Sequence, residues 1–218
     1  MKDREQKNSK TLDRLLNAAG EVFSGRGYRA STVREICRRA KANVAAVNYH
    51  FGNKKGLYDA VLNHAFVTAM KKYPPDFGIK NSSTAEERLH AFVRSLLFRI
   101  LDEGRPAWHG KLMAREVAEP TSAFDQMIQN AIRPIHGILA GIVSELMGKG
   151  PEDGDRVSLC VISIIGQCLF YQQARPVVAS IYGRKYDTYE IEQIADHITR
   201  FSLKAIKAFS GKQVFENQ

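Results

Sequence analysis

Residues 31–57 constrain this chain more than any other stretch. Ser31-Thr-Val-Arg-Glu-Ile-Cys-Arg-Arg-Ala40 and Asn43-Val-Ala-Ala-Val-Asn-Tyr-His-Phe51 read as two short helices separated by a tight turn at Lys41-Ala42, and a third helix begins after Gly52-Asn53. Thr32 and Glu35 form a T-x-x-E capping box, which starts the first helix near Val33. Val33, Ile36 and Ala40 share its apolar face. Asn43 and Asn53 are good N-caps for the helices that follow. The second helix is about two turns long and nearly uncharged, yet Arg38, Arg39, Lys41, Lys54 and Lys55 flank it on both sides. A short neutral helix framed by cations suits insertion into a groove between two phosphate walls. The same residues also fit a basic helical hairpin that only packs.

The charge distribution bears on that choice. The net charge is +9, and residues 1–64 hold 13 Lys and Arg against 6 Asp and Glu, while the rest of the chain is close to neutral. The first third is therefore the part suited to a polyanion. A polybasic membrane anchor shows a similar asymmetry but needs an amphipathic or lipidated partner signal, and none is evident. Residues 157–174 are free of charge and only just long enough to span a bilayer. They carry Ser158, Ser163, Gln167, Gln172 and Gln173, so no membrane partner is expected. Cys37, Cys160 and Cys168 have no C-x-x-C or disulfide-framework spacing, which suits buried thiols in a reducing cytoplasm. The N-terminus has no apolar run of the kind a signal peptide needs.

Helical periodicity covers the rest. Leu12, Leu15, Leu16, Ala19, Val22 and Phe23 predict a helix over 9–25, after a mobile basic tail (1–8) and before a stop at Gly25-Arg26-Gly27. Phe23, Ile36, Val47, Phe51 and Leu57 would form the small core that sets the angle between the short helices. A helix from Asn53 should end at Pro74-Pro75, with residues 76–83 as a linker. Thr84 and Glu87 cap the next helix, which should stop at Gly104-Arg105-Pro106. Further helices are predicted over 107–118, over 121–147 with a kink at Pro134, over 155–173 after a turn at 148–154, and over 188–209. No strand pattern or internal repeat appears. The expected fold is all-α, with residues 1–60 as one domain and 61–218 as the other.

Residues 9–61 resemble the N-terminal DNA-binding domain of the TetR family of bacterial transcription regulators. The resemblance rests on Ala19, Phe23, Gly27-Tyr28, Thr32-Val33, Ile36, Ala40, Tyr49-His50-Phe51, Lys54, Leu57 and Tyr58. Two positions depart from the family pattern. Lys41 stands where the family usually has the glycine of a left-handed turn, at a cost of about 1 kcal/mol. Asn48 stands where tyrosine is common. More narrowly, Met113-Ala-Arg-Glu116, Glu119-Pro-Thr121, Gly166-Gln-Cys-Leu-Phe-Tyr171 and Ala174-Arg-Pro176 resemble the subgroup with a CecR-type C-terminal domain, extending the likeness to about residues 9–210.

The resemblance implies a three-helix helix-turn-helix domain followed by a helical effector and dimerisation domain. It also implies a homodimeric repressor that binds a palindromic double-stranded operator and leaves it on meeting a small-molecule effector, antibiotics or related compounds among the candidates. The DNA-contacting positions would be Thr32, Asn43, Val44, Ala45, Ala46, Asn48, Tyr49, His50 and Lys54. Val44, Ala45 and Ala46 suit thymine methyls, Asn48 is the best hydrogen-bonding reader, and Tyr49, His50 and Lys54 match backbone-contacting positions.

Catalytic chemistry is not indicated. The sequence has no Gly-rich phosphate loop, nucleophile elbow or H-E-x-x-H, so neither a cofactor nor a metal is expected. His109 and Glu116, with His136, are a weak metal-ligand pattern. Trp108, His109, Met113, Phe124, Met127, Gln167, Phe170, Tyr171 and Arg175 are candidates to line an apolar effector cavity with a few polar anchors, although for any one of them plain core is the safer reading. The helix over 155–173 is apolar nearly all round and needs partners on two sides. Cys160, Ile164 and Cys168, with Ile194, Ile198 and Phe201 of the last helix, are the expected dimer contacts. The rival reading is an all-helical enzyme or small-molecule-binding protein without specific DNA recognition.

Overall fold

The computed structural model describes residues 2–80, 82–101, 108–148, 154–183 and 185–210. Among them the regular structure is entirely helical: α1 (Lys2–Ala30), α2 (Val33–Ala40), α3 (Val44–Phe51), α4 (Lys54–Lys72), α5 (Ala85–Leu101), α6 (Trp108–Ala118), α7 (Phe124–Met127), α8 (Arg133–Met147), α9 (Gly154–Gln173), α10 (Arg175–Tyr182) and α11 (Thr188–Ser210), with a π-helical turn at Ile128–Ile132. The helices sort into two compact units, Met1–Ala69 with Glu103–Ala131, and Met70–Asp102 with Ile132–Gln218. This grouping differs from a cut at residue 60, because α6 contributes its apolar face to the N-terminal helices.

The first unit is built on Leu15, Ala19, Val22 and Phe23 of α1, Ile36 of α2, Val47 of α3, Leu57, Val61 and Ala65 of α4, and Trp108 and Leu112 of α6. Helix α1 begins at Lys2, so the tail expected to be mobile is helical. It is interrupted at Gly27 (φ 81°, ψ 166°), a conformation open only to glycine at low cost. Trp108 lies across Gly20 so closely that a Cβ there would come within 2.3 Å of the indole.

The second unit gathers Leu89, Phe92, Val93 and Leu97 of α5, Leu139 and Val143 of α8, Val161, Ile164 and Cys168 of α9, and Ile191, Ile194 and Ile198 of α11. Helix α5 has a complete capping box: Glu87 N–H donates to Thr84 Oγ1 at 3.2 Å and Thr84 N–H to Glu87 Oε2 at 2.7 Å. Residues 76–80 are not a plain linker. Tyr73 stacks on Phe98 and meets Phe77 edge-on, and its carbonyl accepts from Ser95 Oγ at 2.9 Å and Arg99 Nη1 at 2.8 Å. Ion pairs Arg94–Glu192 and Arg88–Glu145 join α5 to α11 and α8.

The structure departs from the sequence reading at three further points. Ahead of Pro134 the chain widens into a π-helical turn, which absorbs the hydrogen bond and the space that proline denies an α-helix. Helix α10 lies outside the helices that the periodicity predicts, although Pro176 in its first turn is a helix-start signal. Cys168 and Ile164 face their own unit's core, at 0% and 1% exposure, and burial pushes the Cys168 thiol up to about 12. The stop at Gly104-Arg105-Pro106 and turn residues 149–153 lie outside the described residues.

Helix propensity alone says that Gly20→Ala should stabilise α1 by about 1 kcal/mol. The overlap with Trp108 reverses the sign. We expect a net loss of about 1–3 kcal/mol, read as a lower urea midpoint at unchanged m-value.

Candidate nucleic-acid interface

Helix α2 starts where the capping residue predicts. Thr32 Oγ1 accepts from Glu35 N–H at 3.2 Å, and Glu35 then turns its carboxylate to Arg39 and Arg26, each at 3.2 Å, so only half of the expected capping box forms. The turn into α3 is left-handed at Lys41 (φ 49°, ψ 47°), keeping the geometry despite the side chain, with Ala42 N–H donating to the Cys37 carbonyl at 3.0 Å. Asn43 Oδ1 then caps α3 by accepting from Ala45 N–H at 2.9 Å.

Of the eight residues of α3, Val47 is the one fully buried. It docks on the core with Ile36 and Leu57, and this leaves Val44, Ala45, Asn48 and Tyr49 exposed, Tyr49 at 79%. Ala46 and His50 are half-buried, and Thr32 and Asn43 are exposed. Lys54 sits 4.6 Å above the Tyr28 ring and donates to the Arg29 carbonyl at 3.3 Å. Partial burial holds its ammonium below the ordinary lysine pKa. The arrangement therefore presents one neutral helix face, with small side chains toward its N-terminal end and a bidentate amide beside them, between cationic shoulders.

A buried polar cluster supports this surface from behind. Glu116 is wholly buried and accepts from the Tyr58 hydroxyl at 2.6 Å, from Thr121 N–H at 2.9 Å and from Thr121 Oγ1 at 2.8 Å. Burial first, then the hydrogen bond and charge of Glu116, raise the Tyr58 phenol well above its ordinary pKa. Tyr58 also meets Phe23 edge-on, 4.9 Å between centroids, and packs at a tilt against Tyr28. Arg115 Nη1 reaches the Ser24 and Gly25 carbonyls at 3.4 Å, and a Cβ on Gly27 would lie only 3.0 Å from its Nε. Both halves of this cluster stood in the sequence, but nothing there pairs residues 58 and 116.

The proposed cavity residues divide between the units. In the first, Trp108 and His109 are buried, Trp108 within the core, and Met113 is half-buried against the same core. Phe124 is half-buried, and Met127 lines a small pocket of about 100 Å³ with Asp59, Leu62, Asn63 and Gln126. In the second, Gln167 donates to the Ser163 carbonyl, Phe170 is 56% exposed, Tyr171 meets Tyr186 edge-on, and the Arg175 guanidinium lies 5.1 Å over the Tyr186 ring. Of the expected dimer contacts, Ile164, Cys168, Ile194 and Ile198 are corrected to core, and Cys160 is half-buried. Phe201 is exposed, and so are Leu159, Ile162 and Phe170, which share the other face of α9.

A capped helix, a left-handed turn and a short outward-facing second helix define a helix-turn-helix DNA-binding unit. Residues 15–61 match bacterial regulatory proteins of the tetR family, and residues 85–206 match the C-terminal domain of the HTH-type transcriptional dual regulator CecR. The chain belongs to the TetR family of transcriptional regulators, in the group with a CecR-type C-terminal domain. It is 25% identical over 202 residues to the dual regulator CecR of Shigella flexneri, covering 88% of this chain and 90% of that protein. It is 26% identical over 212 residues to the transcriptional repressor NicS of Pseudomonas putida, covering 94% of each. The crystal structure of AibR with isovaleryl coenzyme A and operator DNA shares the fold, with a TM-score of 0.63 at 19% identity over 88% of this chain and 97% of that one.

Tyr58→Phe removes one donor from a buried carboxylate and should cost about 1–3 kcal/mol. The raised phenol also contributes stability that is fully present below the ordinary tyrosine pKa of about 10 and is lost as pH rises above it. The gap between wild type and variant in thermal melts should therefore narrow in alkali.

Proposed function

We propose that this protein is a cytoplasmic, homodimeric repressor that binds a palindromic DNA operator through α3 and is released from it by a small-molecule effector. The observation that carries the reading is the exposed face of α3: Val44, Ala45, Asn48 and Tyr49 point outward because Val47 alone is buried. Ala45 and Val44 match thymine methyls, Asn48 reads an adenine edge, and Thr32, Asn43, Tyr49, His50 and Lys54 follow the phosphates. Ala46, half-buried, sets how closely α3 approaches the groove. The repressor NicS and the complex of AibR with a ligand and operator DNA support the same assignment by likeness.

Dimerisation is proposed through the exposed apolar faces of α9 and α11. Helix α9 is long and apolar enough to cross a membrane by length and composition. It nevertheless commits Val161, Ile164 and Cys168 to a helical core and lays Leu159, Ile162 and Phe170 along one outer face with Ser163 and Gly166. A single apolar stripe with a small residue at its centre suits a second helix copy. Two copies of α3 would then fit successive major grooves about 34–36 Å apart. An effector releases DNA only by binding a dimer of the wrong spacing more tightly than the right one.

Asn48→Ala should lose about 1–3 kcal/mol of discrimination at one base step, measured by competition between operator variants. Lys54→Ala should weaken all sequences alike and lower the salt slope by about 1. Unchanged operator preference in Asn48→Ala would remove Asn48 as the reader. Ile162→Glu should sediment as a monomer at micromolar concentration and bind half-sites only weakly, with its helical circular dichroism retained because Ile162 is 62% exposed.

A further inference from the structure

A cleft of about 590 Å³ opens within the first unit, bounded by the last residues of α1, by Tyr58 of α4, by Arg115 of α6 and by the turn from Glu119 to Ser122. That volume lies in the range of small-molecule sites, about 300–1,000 Å³. Its walls carry three guanidinium groups, Arg26, Arg29 and Arg115, against one carboxylate, Glu119. None of the three is firmly engaged. Arg26 is 58% exposed and makes one ion pair, to Glu35. Arg115 makes only long contacts, 3.4 Å to two carbonyls and 3.5 Å to a Glu119 side chain that is itself 72% exposed. The Arg29 guanidinium has no hydrogen-bond or ion-pair partner among the described residues, although its carbonyl holds Lys54. Tyr28 and Pro120 supply apolar wall, and Ser122 an exposed hydroxyl.

The shape separates two uses of such cations. A DNA backbone meets exposed cations at a surface, and only the outer guanidiniums would serve it. Here the arginines line one cleft together with the buried Tyr58, and Gly27, whose missing Cβ would press on the Arg115 guanidinium, lets Arg115 reach it. Planar guanidinium forks match carboxylate and phosphate oxygens two at a time, and a recess of this size leaves room for an organic body beside the anionic group. We infer that the cleft binds a small organic anion, a phosphate or carboxylate carrying a ring or similar apolar body, on Arg29, Arg26 and Arg115. Entry of the anion takes Arg115 from Glu119, a long contact to an exposed carboxylate. The inference goes beyond operator recognition and can be tested without DNA.

The test is calorimetric titration of the full-length, DNA-free protein with phenyl phosphate, benzoate, inorganic phosphate and benzyl alcohol. Phenyl phosphate or benzoate should bind saturably at one molecule per chain and more tightly than inorganic phosphate, and benzyl alcohol should not bind. Which of the two organic anions binds tighter assigns the head group. Arg29→Gln, an exposed position, should weaken binding by about tenfold or more through loss of a charge-assisted contact. Ser122→Trp should block the cleft with its charges intact, and Glu119→Gln should tighten binding. Circular dichroism and melting curves establish that each variant folds. Binding unchanged in both Arg29→Gln and Ser122→Trp would overturn the site. Equal affinity for inorganic phosphate would reduce it to a patch that attracts any anion. Absence of saturable binding by either organic anion at millimolar concentration, with Arg29→Gln altering only the salt dependence of DNA binding, would return the arginines to the DNA backbone.

Discussion

Glu116 is a carboxylate with no exposed surface, and the first unit is arranged around satisfying it. An unpaired buried charge costs several kcal/mol, so the site persists only because donors from two other places converge on it. The Tyr58 hydroxyl comes from α4, and two donors come from Thr121 in the turn beyond α6. Because α4 begins three residues after α3 ends, whatever holds Tyr58 also limits how α3 can be carried. The same ring packs on Phe23 and Tyr28, and Tyr28 in turn lies under Lys54. One polar contact therefore reaches, through aromatic packing, to the cationic edge of the reading surface.

The reading helix shows the complementary economy. An eight-residue helix is too short to be stable alone and takes its structure from caps and packing. Asn43 closes its start, Gly52 its end, and Val47 is its single fully buried anchor. Every other position is thereby free to face outward or lie at the margin, and several of those positions carry small side chains. Lys41 accepts a left-handed backbone that glycine would adopt more cheaply, and in exchange places a cation in the turn itself.

The second unit solves a different problem. Helices α5, α8, α9 and α11 share one core, and polar pairs at its edge link α5 to α11 and α8: Arg94 with Glu192, His90 with Asp196, and Arg88 with Glu145. Helix α9 has more apolar surface than that core absorbs. Leu159, Ile162 and Phe170 remain outside, while α11 leaves Phe201 exposed beside His197. This distribution, and not the total hydrophobicity of the helix, is what the proposed dimer rests on.

The sequence by itself determined most of the helices and several of their starts, because capping, periodicity and turn preferences act within three or four residues. Thr32, Asn43, Asn53 and Thr84 cap as their chemistry dictates, and the helix-turn-helix was legible down to the strained turn at Lys41. Only the tertiary structure decided which of two apolar faces on α9 would be inside, since both carry similar side chains and Ile164 and Cys168 look no more buried in sequence than Leu159 and Ile162. It alone brought Tyr58 to Glu116 across 58 positions and Arg115 to the end of α1 across about 90. It likewise set a π-helical turn ahead of Pro134 and formed the arginine-walled cleft. Contacts of that kind depend on how whole helices pack, and no local pattern of residues encodes a helix's choice of neighbour.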